Sequence, residues 1–261
     1  MRFLLVILIM IWNSVASASE WKENLKVEAV FSASNVIGTF VLYDVETNSF
    51  TGYNKKRAET RFSPASTYKI PNTLIGLTVG AVNSVDVTFS YDGKPQPVAS
   101  WEKDMSLREA IKISCVPVYQ QLARKIGLEK MRTELARLDY GNNETGASVD
   151  SFWLEGPLAI SPVEQTRFLA RLAQGTLALP ETAQAQVREI VFMEQGATWS
   201  LVAKTGTVAR CSPNIGWWVG WVEKEGKIYV FALNIELPQG NDAPDRVSIG
   251  KQCLTALEII D

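Results

Sequence analysis

The sequence predicts an α+β fold in which an antiparallel sheet is flanked by helices and adjoined by a helical lobe. Three observations carry this expectation. Strand-like segments lie at both ends of the chain, helical periodicity fills its middle, and no internal repeat, low-complexity tract or linker separates the two. Residues 19–261 are therefore expected to form one domain, with strands from both ends sharing one sheet. In chain order, residues 37–45 read as a strand, 46–49 as a turn and 50–53 as the returning strand of a hairpin. Residues 106–113, 118–126 and 129–138 carry apolar side chains at three- and four-residue spacing, the signature of amphipathic helices. Ser161-Pro162-Val163-Glu164 is a capping box with Pro at the first helical position, so a helix is expected from Pro162 towards Ala173. Residues 199–205, 215–222 and 227–237 are rich in Trp, Val, Ile and Phe, with a tight turn at 223–226, and read as adjacent antiparallel strands. A closing helix is expected over 245–260.

With 46% hydrophobic and 21% charged residues, the chain can bury a sizeable core. Its formal charge of −2 and the lack of a basic run argue against nucleic acid as a partner. The chain has no His at all, which excludes a Ser-His-Asp triad, a Cys-His dyad and a His-ligated zinc. Acid–base chemistry must come from Lys, Asp, Glu, Tyr or Cys, and no catalytic metal is expected.

Arg2, the apolar run Phe3 to Trp12 and the small-x-small stretch Ala16-Ser17-Ala18 read as a secretory signal peptide over residues 1–18. That run is about half the ~20 residues a membrane span needs, so an exported protein with no membrane attachment after cleavage is expected. Export permits disulfides, but Cys115, Cys211 and Cys253 are an odd number at wide spacings; a bridge between Cys211 and Cys253 is an option the sequence leaves open.

Ser66-Thr67-Tyr68-Lys69 stands where a helix is expected to begin. At helical spacing Lys69 can reach the hydroxyl of Ser66, and a helix N-terminus adds free N–H groups. Taken alone the motif is weak: 19–22, 100–103 and 248–251 repeat the Ser-x-x-Lys spacing, and a capping Ser with a solvated Lys is the simpler reading. Lys204-Thr205-Gly206 on an expected strand supplies a cation and a hydroxyl beside a Gly that lets a substrate backbone lie close. It too is unspecific by itself, since a surface strand bending at Gly206 would look the same.

Order changes this. Ser66-Thr67-Tyr68-Lys69, Ser114-Cys115-Val116, Tyr140-Gly141-Asn142, Trp153-Leu154-Glu155-Gly156, Lys204-Thr205-Gly206 and Trp217-Trp218-Val219-Gly220-Trp221 follow one another in a chain without His. This set resembles the penicillin-recognising serine acyl-transferases and, within them, the class D β-lactamases or oxacillinases. The departures are Tyr68 where Phe is expected and Thr207 where an aromatic or apolar residue is common.

The resemblance implies a β-lactamase/DD-peptidase-like fold whose site lies between sheet and helical lobe. It implies Ser66 as nucleophile and Lys69, N-carboxylated by CO2, as general base, with no other cofactor. The backbone N–H groups of Ser66 and Thr207 would hold the oxyanion, and Ser114 and Lys204 would pass a proton to the leaving nitrogen. Lys204, Thr205, Gly206 and Arg246, the last at the start of the closing helix, would bind substrate. Val116, Trp153 and Leu154 would form an apolar pocket for the carbamate, with Trp153 donating its indole N–H. Burial matters here because a free Lys, with a pKa near ~10.4, is neutral in only about one molecule in 2,500 at pH 7. The implied partners are small-molecule β-lactams, in the bacterial periplasm, with antibiotic resistance as the outcome; a homodimer is left open. A cell-wall DD-peptidase would carry Asn in place of Val116, and an antibiotic sensor would need transmembrane helices.

Overall fold

A computed structural model describes residues 20–209, 212–238 and 244–261. The expected signal segment 1–18 and Cys211 lie outside the described residues. The elements run β1 (Trp21–Glu23), α1 (Leu25–Ser34), β2 (Gly38–Asp44), β3 (Ser49–Tyr53), α2 (Lys55–Ala58), α3 (Lys69–Thr78), β4 (Thr88–Phe89), β5 (Met105–Ser106), α4 (Leu107–Lys112), α5 (Val116–Ile126), α6 (Leu128–Leu138), α7 (Pro162–Ala173), α8 (Glu181–Ile190), β6 (Phe192–Gln195), β7 (Trp199–Val208), β8 (Asn214–Lys224), β9 (Lys227–Leu237) and α9 (Arg246–Ala256).

Seven strands form one sheet in the order β1-β3-β2-β9-β8-β7-β6, so the N-terminal hairpin and the three C-terminal strands are joined along the β2–β9 seam. The expected antiparallel sheet is mixed at one edge, where β1 pairs parallel with β3. Side chains alternate across strands, and β8 shows how this serves two cores. Trp217, Val219 and Trp221 join the cluster under the helical lobe of α3–α8, while Trp218 and Val222 join a second cluster under α1 and α9. The result is three layers with the sheet in the middle.

Local chemistry explains several boundaries. The expected capping box on α7 is present: Ser161 Oγ accepts from the Glu164 N–H at 3.2 Å and Glu164 returns a carboxylate oxygen to the Ser161 N–H at 2.8 Å. A second capping box, Ser106 with Glu109, starts α4. Helix α1 begins at Asn24, whose side chain accepts from two backbone N–H groups, and ends at Asn35 in the left-handed region. Cys253 is a free thiol buried between α9 and the sheet, which does not bear out a bridge to Cys211. No helix among the described residues is long and apolar enough to cross a membrane.

Helix α9 lies so close to the sheet that a Cβ on Gly250 would sit 2.1 Å from Cε3 of Trp218. Trp218 is fully buried and cannot yield. Gly250→Ala is accordingly expected to lower stability by about 1–3 kcal/mol, measured by urea denaturation; an unchanged midpoint would contradict this packing.

Candidate active site

Between a bridge at Phe62 and the start of α3, the chain makes a 3-10 turn over Ala65–Tyr68. Ala65 sits at φ 47°, a left-handed conformation that L-residues other than Gly, Asn and Asp avoid. Neighbours hold it there. The carbonyl of Trp153 accepts from the Ala65 N–H at 2.9 Å and from the Ser63 hydroxyl at 2.8 Å. The indole of Trp217 donates to the Ser63 carbonyl at 2.9 Å, and the Thr67 hydroxyl donates to the Pro64 carbonyl at 2.7 Å while accepting from Gln165 at 2.9 Å. The turn therefore presents Ser66 from a rigid base, and the Lys69 amine donates to Ser66 Oγ at 2.9 Å.

Lys69 is completely buried. No carboxylate compensates its charge among the described ion pairs; its amine instead lies 5.2 Å from the centre of the Tyr119 ring. Burial drives its pKa well below the usual lysine range, the nearby Lys204 lowers it further, and the Cys115 thiol opposes the shift. Trp153 is also fully buried, and its indole N–H has no hydrogen-bond partner among the described residues. Its ring stacks on Tyr68, centroids 5.4 Å apart.

Opposite this pair, Ser114 lies between α4 and α5 at φ 55°, and its hydroxyl accepts a short hydrogen bond from Lys204 on β7. The Lys204 amine also donates to the Thr205 carbonyl at 2.9 Å. Burial, with the positive charge of Arg246 second, lowers the Lys204 pKa to about 7. Arg246 is the first residue of α9, as expected, and donates to the Thr207 hydroxyl at 2.8 Å, so the unusual Thr207 fastens this guanidinium beside the strand.

A family model described as the penicillin binding protein transpeptidase domain matches residues 38–255. The chain is 40% identical to β-lactamase OXA-5 of Pseudomonas aeruginosa over 97% of its own length and 96% of the relative's. It is also 40% identical to β-lactamase OXA-48 of Klebsiella pneumoniae, over 94% and 92%. The crystal structure of FUS-1 (OXA-85), a class D β-lactamase from Fusobacterium nucleatum subsp. polymorphum, superposes with a TM-score of 0.89 at 41% identity, covering 92% of this chain and all of that one. The chain belongs to the class D β-lactamases.

In this class D β-lactamase, Ser66 and Lys69 meet as the spacing suggested, and Ser114 and Lys204, linked beforehand only by the resemblance, are also in contact. A Cβ on Gly206, the residue expected to let a substrate backbone lie close, would sit 3.1 Å from the Pro64 carbonyl and 3.2 Å from the Thr67 nitrogen, so its smallness also lets β7 close against the turn that carries Ser66. Val116 and Leu154, which the resemblance places in the carbamate pocket, are half-buried; the Lys69 amine bonds Ser66 and faces the Tyr119 ring, and Cys115 and Lys204 act on its charge. Tyr119 escaped the sequence reading although it stands three residues after Val116 on α5, a spacing that puts the two on one helix face. Gln165, which reaches Thr67 across 98 positions, had no local signal.

The buried Lys204 makes stability depend on pH. Below about pH 7 the folded protein carries a buried ammonium at full cost; between about 7 and the ordinary 10.5 the folded state has released that proton while the unfolded chain still holds it. Stability contributed at this position therefore rises with pH across that window. Relative to Lys204→Met, the parent should gain about 1 kcal/mol per pH unit from pH 7.5 to 9.5 in chemical denaturation. A difference that stays flat over this range would show that Lys204 titrates normally.

Proposed function

We propose that this class D enzyme hydrolyses the cyclic amide of β-lactam antibiotics through an acyl-enzyme on Ser66, using Lys69 as the seat of the general base. The observation that carries the reading is the fully buried Lys69 amine, held 2.9 Å from Ser66 Oγ with no carboxylate beside it among the described residues. Such an amine gives up its proton far more readily than a solvated lysine and can accept one from a hydroxyl.

In acylation, Ser66 Oγ forms a bond to the lactam carbonyl carbon and its proton passes to Lys69. The backbone N–H groups of Ser66 and Thr207 face the carbonyl oxygen as charge develops on it, each worth roughly 3–4 kcal/mol in comparable sites. The close approach of Gly206 to Pro64 and Thr67 is what brings these two stretches of backbone together. When the C–N bond breaks, the lactam nitrogen takes the Ser114 proton, and Lys204, with a pKa of about 7, replaces it. Lys204, Thr205 and Arg246 attract the substrate carboxylate, with Arg246 steadied by Thr207. Before deacylation the proton taken from Ser66 leaves Lys69 for the nearby Lys204, which had given up its own; a water then loses a proton to Lys69 and attacks the ester carbon, and the departing Ser66 Oγ takes that proton from Lys69.

The same residues suit carbon dioxide. A neutral buried amine can form an N–C bond to it with loss of one proton, and the unpaired indole N–H of Trp153 is a donor without another use. Ser66 and Trp153 would hold the carbamate. When bound, the group supplies a carboxylate base stronger in reach and charge than the amine. Export to the periplasm and resistance to β-lactams follow from the same reading, since residues 1–18 have the pattern of a signal peptide.

Two outcomes test the proposal. Mass spectrometry with a penicillin should show one covalent adduct on the parent and none on Ser66→Ala; a stable adduct on Ser66→Ala would move the nucleophile elsewhere. Trp153→Phe keeps most of the bulk but loses the donor, so turnover should drop roughly ten- to hundredfold, with the acyl-enzyme accumulating and bicarbonate restoring part of the rate. Turnover equal to the parent, with no response to bicarbonate, would remove Trp153 from the mechanism.

A further inference from the structure

We propose that Tyr68 and Met131 act as a positioning pair that fixes the Trp153 ring and so sets the affinity of Lys69 for carbon dioxide; this rests on the reading of Lys69 given above. Tyr68 departs from the Phe expected at its place, and its added hydroxyl is fully buried, where an unsatisfied donor would be costly. It donates to the thioether sulfur of Met131 at 3.1 Å. Met131 lies on α6, is itself completely buried, and belongs to an element that contributes no other residue to the chemistry.

The Tyr68 ring is the floor on which Trp153 rests, nearly parallel to it at 23° with centroids 5.4 Å apart. Tyr140 and Phe152 meet the same ring edge-on at 5.8 and 5.1 Å, which limits tilting. Sliding within the ring plane is limited by the bond to sulfur. A Phe would be held by packing alone; a Tyr must find its acceptor, so the location of the ring depends on residue 131. Tyr68 also precedes Lys69 in the chain, so displacing its ring disturbs the base and its indole donor together.

The experiment is a double-mutant cycle on the full enzyme. Met131→Leu keeps volume but removes the acceptor, leaving the phenol hydroxyl buried and unpaired. Adding Tyr68→Phe removes that hydroxyl and restores an apolar match. Two quantities are read: the bicarbonate concentration giving half-maximal penicillin turnover, and the carbamate carbon signal with ¹³C-bicarbonate. Met131→Leu should raise the half-maximal bicarbonate roughly three- to tenfold and weaken the carbon signal at fixed bicarbonate, and the double variant should return to within about twofold of Tyr68→Phe alone. Met131→Ile serves if the leucine variant does not fold.

A lower melting temperature with unchanged bicarbonate dependence would reduce the contact to ordinary packing and overturn the inference. So would a double variant as impaired as Met131→Leu, since the defect would then belong to the shape of residue 131. Absence of a carbamate signal in the parent would overturn the reading of Lys69 and this inference with it, whereas a normal parent signal unmoved by Met131→Leu would overturn the inference alone.

Discussion

An amine stripped of water beside a serine hydroxyl is the constraint around which this molecule is arranged. Charged lysine is poorly tolerated in an apolar interior, and Lys69 is completely buried, with no carboxylate paired to it among the described residues to offset that cost. Burial holds its pKa well below the usual lysine range, the positive charge of a second amine lowers it further, and the Cys115 thiol works against that shift. That second amine, Lys204, is itself depressed by burial and by Arg246, to a pKa of about 7. On the proposed reading, a chain without imidazole obtains its proton acceptor in this way.

The architecture follows from holding that amine against its hydroxyl. Ala65 occupies a conformation it would not choose, and the restraints on it come from remote parts of the chain: the Trp153 carbonyl from the loop before α7, the Trp217 indole from β8 by way of Ser63, and Gln165 on α7 through Thr67. Strain at one residue is thus distributed over the interface between sheet and lobe. Gly206 completes the closure by allowing β7 to touch the turn. The lobe supplies Ser66 and Lys69, the sheet supplies Lys204 and Thr205, and the Lys204–Ser114 contact joins the two halves.

Much of this could be read from the chain because the signals were local. The strands β2, β3, β7, β8 and β9 have alternating or densely apolar runs, and α7 announces itself through its capping box. Helix α8 does not: its buried face is Ala183, Gln184, Val187 and Ile190, in which small and polar residues mask the period. Helix α1 buries only Val27 and Phe31, and β6 leaves Phe192 and Met193 largely exposed, so neither carries a clear pattern. At the site the same division holds. Ser66, Lys69, Ser114 and Lys204 are found from spacing and order, whereas Tyr119, Gln165 and Met131 act through contacts across the fold and have no pattern of their own. Gly206 shows in the sequence that room is needed, and its packing against Pro64 and Thr67 comes from the fold alone.

The three-layer arrangement has a consequence for how the enzyme can change over time. The groups proposed for the chemistry lie mostly on the lobe side of the sheet, and among the described residues the opposite layer of α1 and α9 contributes Arg246, which donates to the Thr207 hydroxyl. Substitutions in the second core, among Val27, Phe31, Ile249 and Leu254, are far from Ser66 in the layer order and alter stability with little direct effect on catalysis. That layer is a reserve: stabilising changes accumulated there can offset the destabilisation that comes with remodelling the substrate side. Selection by new antibiotics would then leave its mark on both faces of the sheet, adaptive on one and compensatory on the other.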